Sequence, residues 1–407
     1  MSTSLLTIPA EPSAAREAYR LEIAEHVSEL NAADWDSLRD VNCAGFMDRR
    51  FVGAVEASRP GGGKCWSLLV YAGARPVAAA CLSLFPADAA IVAADWSKRL
   101  TERIRRVCPN YLRFNVLFCG LPVSANQGHL VFAADADRPQ VVRLIDRQMR
   151  TLAKEHRAKI LIFKEFDEKT FHDSAELSAL GYLGVESTAV STLDCNFANF
   201  DGWLAAMRSR YRKEIIRNQQ KFQAAGFRIE VVEPGMAAER YTDEVHRLYE
   251  AVVNRSQMKL EVLPPEFFRE IARRFSEEFL LMLAYDGERI IGFVSAILTP
   301  RSPSSLFLGV DYERNAEGFI YYNLFYAYLR EILDAQTERI EFGANSEDFK
   351  ARLGCRQRRN YMYVAATNWL RWPLRWFAKV LFPRVKLHEP KHIFNRAPAA
   401  AKHGTDA

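Results

Sequence analysis

The sequence predicts a mixed α/β protein built from two related domains, and three observations carry that expectation. An apolar hairpin is written twice, as WSLLVYAGARPVAAACLSL from Trp66 to Leu84 and as FLLMLAYDGERIIGFVSAIL from Phe279 to Leu298. Both run strand, Tyr-x-Gly-x-Arg turn, strand, so Tyr71, Gly73 and Arg75 answer Tyr285, Gly287 and Arg289. In each the glycine supplies the positive φ of a tight turn. Each copy then continues through a helix and a strand to a Leu-Gly pair. The first runs Val141 to His156, Lys159 to Phe163 and Leu180-Gly181, the second Phe319 to Ala335, Arg339 to Phe342 and Leu353-Gly354. Finally, Ser305 to Gly354 reads as strand, crossover helix and strand, a βαβ unit whose strands must be adjacent and parallel.

In chain order, residues 1–20 are rich in Ala, Ser, Pro and Glu and read as loose. A first domain is expected over 21–195 and a second over 196–366, with the join near Asp194 to Phe200. The first copy is the longer, by about 41 residues that fall between Ala87 and Pro139. Within the second, Leu306 to Val310 is an apolar strand and Asp311 to Glu317 a polar turn. The next helix has a buried stripe of Tyr322, Phe325, Tyr326, Leu329 and Leu333 at three- and four-residue spacing. Ligands favour the carboxyl ends of such parallel strands, which here are Asp311-Tyr312 and Gly343-Ala344-Asn345.

Two segments stand outside the repeat. Residues 202–226 read as one basic amphipathic helix, with Leu204, Met207, Tyr211, Ile215 and Phe222 on one face. Arg208, Arg210, Arg212, Lys213, Arg217 and Lys221 crowd the rest, opposed by Glu214 alone. That face is either solvated or turned to an anionic partner such as phospholipid, a nucleotide-linked substrate, coenzyme A or tRNA. Residues 367–396 hold Trp369, Trp372 and Trp376 among Arg371, Arg375 and Lys379, and no acidic residue occurs from Phe349 to His388. Such a segment suits a membrane surface, with rings at headgroup depth and cations on phosphates, although Pro373 and Pro383 argue against a regular helix. Residues 397–407 read as a disordered tail.

The 407 residues are 49% hydrophobic and 26% charged, enough for a large core, and a net charge of +5 permits an anionic partner without demanding one. Seven scattered cysteines, never in a C-x-x-C pair, indicate reduced usage with neither a disulfide framework nor a zinc site. His388 and His392 are four apart, but Pro390 between them argues against a helical metal pair, and no metal is expected. The N-terminus shows no secretion signal and Val77 to Phe85 is too short to span a bilayer, so a cytoplasmic protein is expected.

Taken together, the doubled hairpin, G-x-D-Y at Gly309 to Tyr312, Tyr321-Tyr322-Asn323 and F-G-x6-K-x3-G from Phe342 to Gly354 resemble the FemAB-related branch of the GNAT acyltransferase superfamily. The resemblance covers about Glu22 to Val364. It implies two tandem GNAT-like domains, each a mixed twisted sheet flanked by helices, and transfer of an acyl or aminoacyl group to an amine. It further implies that Lys350, the lysine before the final glycine, lies beside the reacting carbonyl. Enzymes of the wider superfamily that use acetyl-coenzyme A carry R/Q-x-x-G-x-G/A where strand meets helix. The run here is Arg314-Asn315-Ala316-Glu317-Gly318-Phe319, with a carboxylate where a phosphate would sit, which disfavours coenzyme A in that pose.

Amine acylation needs a route for the amine proton and donors for a tetrahedral oxyanion. Lys350 is the candidate donor, Asp311, Glu341 and Glu347 are candidate proton acceptors, and Tyr322, near the helix start, is the candidate catalytic tyrosine. Asn323 on the crossover helix, Glu341, Gly343 and Asn345 in and after the strand that follows it, and Arg210, Arg212, Lys213 and Arg217 of the basic helix are the candidate substrate contacts. Trp369, Trp372, Arg375, Trp376 and Lys379 are the candidate membrane contacts. The leading expectation is an N-acyltransferase at the cytoplasmic membrane face. It would use acyl-coenzyme A or an acyl carrier protein as co-substrate, with no resident cofactor, and a lipid-like or long-chain amine as acceptor. The alternatives are an aminoacyl-tRNA-dependent ligase acting on a cell-wall precursor and a non-catalytic, degenerate GNAT pair.

Overall fold

The structure is a computed structural model. It describes the chain except residues 1–3, 8–17, 40–44, 89–102, 104, 107–112, 125–126, 256–261, 299–303, 336, 344–345, 368–369, 389–390 and 396–407. The chain divides into two compact units, each discontinuous in sequence. Unit 1 comprises Met1–Thr188, Leu260–Phe267 and Arg359–Val385, and unit 2 comprises Ala189–Lys259, Phe268–Arg358 and Lys386–Ala407.

Unit 1 contains β1 (Ser4–Thr7), β2 (Tyr19–Ala24), β3 (Lys64–Ala72), β4 (Arg75–Asp88), β5 (Arg113–Cys119), β6 (Leu130–Phe132) and β7 (Ala158–Phe166). Unit 2 takes the end of β8 (Leu183–Asp194), then β9 (Phe227–Val231), β10 (Phe279–Asp286), β11 (Arg289–Ile297), β12 (Ser304–Val310) and β13 (Arg339–Gly343). The last strand, β14 (Arg356–Ala366), belongs from Arg359 onward to unit 1. Leaving aside the edge strand β1, which pairs with β2, and β6, which pairs with β4, the strand order is β2-β3-β4-β5-β7-β14 in unit 1 and β9-β10-β11-β12-β13-β8 in unit 2. In both, the fourth and fifth strands form the parallel pair and the pairings before it are antiparallel. Two GNAT-like domains in tandem are therefore present, and each half of the sequence contributes its final strand to the other unit. That exchange crosses the division expected near residue 195.

The duplication extends to side chains. Both hairpins turn on a glycine with positive φ, Gly73 at 60° and Gly287 at 56°. Both carry a β-bulge immediately before the repeated tyrosine, at Val70/Tyr71 and at Ala284/Tyr285. Across the next strand Tyr71 faces Arg20 and Tyr285 faces Arg228, and each guanidinium lies 4.1 Å from the ring centroid. Cation–π pairs of this kind tie each hairpin to the strand before it. The strands concerned, Tyr19-Arg20-Leu21-Glu22-Ile23 and Phe227-Arg228-Ile229-Glu230-Val231, are thus a further part of the repeat.

Each unit has its own apolar core. The unit 1 core joins the hairpin to the crossover helix Arg138–Glu155 through Leu68, Val70, Val141, Ile145 and Met149. The unit 2 core joins its hairpin to the crossover helix Ile320–Asp334 through Met282, Val294, Leu324, Tyr328 and Leu329.

Four local expectations are corrected. Ser4–Thr7, expected to be loose, pairs with β2 as an edge strand. The run after Asp311 is a helix, Tyr312–Gly318, because the Asp311 carboxylate caps the amides of Glu313 and Arg314. The basic segment is two helices, Phe200–Ala206 and Ser209–Ala224, parted at Met207-Arg208. There the backbone pairs with the C-terminal segment instead, through an isolated bridge from Met207 to Phe394 and the Arg208 N–H donating to the Ile393 carbonyl at 2.7 Å. Lastly, Arg371–Leu381 is a continuous helix. Pro373 falls in its first turn, where a missing N–H costs nothing, and Pro383 lies beyond its end.

Candidate active site

The site is assembled at the carboxyl end of β13 in unit 2. The chain leaves β13 at Gly343, with φ of 63°, and re-enters a helix at Ser346, a non-glycine residue with φ of 52°. A bulge between Glu341 and Gly343 interrupts the pairing of β13 with β8. The Lys350 ammonium, on the short helix Glu347–Arg352, donates to the Phe342 carbonyl at 2.7 Å and to the Gly343 carbonyl at 3.2 Å. Lys350 is 3% exposed. Burial lowers its pKa from the usual 10.5 to about 8, partly opposed by Cys355 and Glu347.

The equivalent residue in unit 1 shows how unusual this is. Counting back four from the matching glycines, Gly354 and Gly181, Lys350 corresponds to Leu177, which is 0% exposed in the core of unit 1. The turns are alike: the Cys355 N–H reaches the Lys350 carbonyl and the Tyr182 N–H the Leu177 carbonyl, both at 3.1 Å. Both glycines hold positive φ, 95° and 89°. The same structural slot is filled by an apolar core residue in one unit and by an amine in the other. An amine there opposes stability, which marks Lys350 as a candidate for a chemical role.

Phe349, the residue before Lys350, lies in an aromatic cluster with Tyr321, Tyr322 and Phe325. The Tyr321 hydroxyl donates to Ser346 Oγ at 2.8 Å, and its pKa is pushed to about 12, chiefly by burial with Tyr312 and Tyr322 adding. Tyr322 stacks on Phe349 at 4.6 Å between centroids, and Phe325 packs on Phe349 at 5.2 Å. Tyr312 also lines a cavity of about 600 Å³ at the other strand end, with Glu244, Arg247, Arg255, Arg289 and Asp311. Arg255 stacks over the Tyr312 ring at 3.7 Å. Lys350, Tyr321 and Ser346 are not among the residues that line this cavity.

The other candidates divide. Asp311 accepts from Arg289 at 2.6 Å besides capping its helix, and Glu341 accepts from Arg358 at 3.2 Å. Glu347 meets His388 Nε2 at 2.7 Å one turn before Lys350, a pairing that the spacing of the histidines does not suggest. Asn323 is buried, and its amide donates to the carbonyls of Asn218, Gly318 and Phe319, each at 3.1 Å, so it fastens helices. Asn345 and Trp369 lie outside the described residues, as does the Lys379 side chain. On the basic helix, Arg212 donates to the Ala205 and Met207 carbonyls, while Arg210, Lys213 and Arg217 are exposed.

The run that would cradle a pyrophosphate is otherwise engaged. Arg314 pairs with Glu317 at 2.8 Å and with Asp286, and Asn315 Oδ1 takes the Tyr321 N–H at 2.8 Å. Among the described residues no cluster of three or more His, Cys, Asp or Glu is gathered that would hold a metal ion. Among them, too, no helix is long and apolar enough to cross a membrane.

A FemAB-like family profile, described as peptidoglycan biosynthesis/recognition, matches residues 26–363. No curated protein matches the sequence. Among solved structures, the chain is similar to a tandem GNAT protein from the clavulanic acid biosynthesis pathway, at 14% identity and a TM-score of 0.49 over 86% of this chain and 99% of that one. It is similar to FemX at 10% identity and 0.47, over 77% and 90%. It is also similar to the C-terminal domain of a putative lysylphosphatidylglycerol synthetase from Agrobacterium fabrum, at 13% and 0.45, over 67% and 84%. These likenesses are distant and carry no weight about substrate.

Proposed function

The chain belongs to the FemAB-like family, and on that premise we propose that it is an N-acyltransferase. Membership supports an acyl- or aminoacyl-transferase. The finer reading is transfer from a thioester, acyl-coenzyme A or an acyl carrier protein, to a lipid-like or long-chain amine at the cytoplasmic face of a membrane. The observation that carries it is Lys350, an amine buried in a slot that unit 1 fills with Leu177.

The chemistry follows from the groups present. The acceptor amine attacks the thioester carbonyl, a C–N bond forms, and the carbonyl oxygen becomes an oxyanion. Protonated Lys350, held at the end of β13, donates a hydrogen bond to that oxyanion. The amine proton passes to a base, and the C–S bond breaks to release a thiol. Of the three candidate carboxylates Glu347 suits the base best, because it shares a helix with Lys350 and is backed by His388, whereas Asp311 and Glu341 are each tied to an arginine. The engaged Arg314 and Asn315 favour a donor that does not rest its pyrophosphate at the start of the helix Ile320–Asp334.

Thermal denaturation with acyl-coenzyme A thioesters of increasing chain length tests the donor, since a ligand of the folded state must raise the melting point. A rise that grows with chain length supports a long-chain thioester, and no shift with any thioester counts against coenzyme A. The family's peptidoglycan description favours a second reading, an aminoacyl-tRNA-dependent ligase, for which exposed Arg210, Lys213 and Arg217 suit RNA phosphates. Ribonuclease-sensitive co-purification of RNA, lost on reversing those three charges, would favour it.

A further inference from the structure

We propose that the helix Arg371–Leu381 is a docking surface for a bilayer that carries anionic lipid. It rests on the transferase reading only for the identity of the acceptor, because the docking follows from the helix itself. Trp372 is 72% exposed, Trp376 80% and Phe377 56%. Large apolar side chains exposed together on one short element mark an interaction surface. Four-residue spacing puts both tryptophans on one stripe, and Leu374, two residues from each, points the opposite way. Leu374 is buried against Val364 and Ala366 of β14, with Leu370 and Phe382 packed alongside. The helix is therefore formed and fastened to unit 1 by its other face, and docking need not bear the cost of folding it.

The charge beside the stripe selects the partner. Arg371, Arg375 and Arg384 are exposed, and the sequence has no acidic residue from Phe349 to His388. Rings that sit at headgroup depth beside cations that meet phosphates describe an interfacial helix, and attraction to an anionic leaflet adds to the apolar contact. The dimensions disfavour a second copy of the chain. An eleven-residue helix is about 16 Å long, and its outer face covers far less than the roughly 800 Å² per partner of a stable protein interface.

The test is co-sedimentation of the full chain with vesicles of phosphatidylcholine, alone or mixed with phosphatidylglycerol, with tryptophan emission as a second readout. Expected are binding to the mixed vesicles with a blue shift, weaker binding to phosphatidylcholine alone, and weakening by high salt. Trp372→Ala/Trp376→Ala should bind at least about tenfold more weakly with unchanged far-UV circular dichroism and melting point, and Arg371→Glu/Arg375→Glu should lose the preference for phosphatidylglycerol. The double tryptophan variant should still acylate a water-soluble amine, whereas Lys350→Met should bind vesicles normally and not acylate. Loss of transfer in Lys350→Met without loss of docking keeps the two ideas apart. The docking idea is overturned if wild type does not sediment with the mixed vesicles, or if the tryptophan variant binds them as wild type does. A concentration-dependent dimer that Trp372→Ala/Trp376→Ala abolishes would overturn it in favour of a second copy.

Discussion

Replacing Lys350 by methionine, close to it in length and volume, gives a stability difference whose dependence on pH can be worked out in advance. In the folded protein the amine titrates at about 8, against 10.5 as its ordinary value. Because the folded value is the lower, the unfolded chain binds more protons between about pH 8 and pH 10.5. Wild-type stability therefore rises with pH across that window. Below it, holding the protonated amine in this slot costs about 3 kcal/mol, since each tenfold change in proton affinity is worth about 1.4 kcal/mol. Linkage leaves about 1 kcal/mol of that at pH 9.5, so about 2 kcal/mol disappears between pH 7 and pH 9.5. Methionine carries no such cost. It forfeits the bonds to the Phe342 and Gly343 carbonyls, which offsets the gain by an amount that does not vary with pH, so the slope is diagnostic and not the level. Urea unfolding of both proteins followed by tryptophan fluorescence supplies the assay, with buried Trp203, whose indole donates to the Leu353 carbonyl at 3.3 Å, as a reporter beside the site. The advantage of Lys350→Met over wild type should shrink by about 2 kcal/mol from pH 7 to pH 9.5 at constant m. A difference that stays flat would show that the amine is not held against its desolvation, and the case for a chemical role would go with it.

Transfer activity should fall at least about a hundredfold in Lys350→Met, mainly in kcat, as for loss of an oxyanion donor. The wild-type rate should decline as pH rises through about 8, because the protonated amine is the active form, and a rate that instead rises there would make Lys350 a base. Leu177→Lys in unit 1 places an amine in the matching slot and should destabilise by about 3 kcal/mol or more, measured as a loss of melting temperature or of soluble protein. Asn323→Ala removes three hydrogen bonds inside unit 2 and should lower stability by about 2–3 kcal/mol while leaving KM for the acceptor unchanged; a raised KM with intact stability would return Asn323 to the substrate. Glu347→Gln should lower kcat at neutral pH more than Asp311→Asn does, whereas equal losses would remove Glu347 as the base.

The parts of the fold that are legible in the sequence are those with local chemical causes. Gly73 and Gly287 are glycines because the turns need positive φ, and Lys350 is reached through the family resemblance, whereas its register against buried Leu177 comes from the structure. What is not legible depends on distant partners. The helix break at Met207-Arg208 arises from backbone pairing with Ile393 and Phe394, and nothing near Met207 announces it. The exchange of β8 and β14 between units leaves no local trace, since a strand's pattern says which face is buried and not against which neighbour it pairs. Arg20 and Arg228 escape a reading of the sequence because strands this short offer few residues to align, although the repeated aromatic-Arg-x-Glu is a signal that could have found them. The fastening that Asn323 provides from the crossover helix is not legible either, because its partner Asn218 is 105 residues away.

Comparing lipid extracts from cells carrying the wild-type gene, the Lys350→Met gene or none decides whether this chain transfers an acyl group through Lys350. An N-acylated, lipid-like amine should be present with wild type and absent from both others, with the unacylated amine accumulating in its place. Identical lipid profiles in all three, or a product that persists with Lys350→Met, would contradict transfer through Lys350.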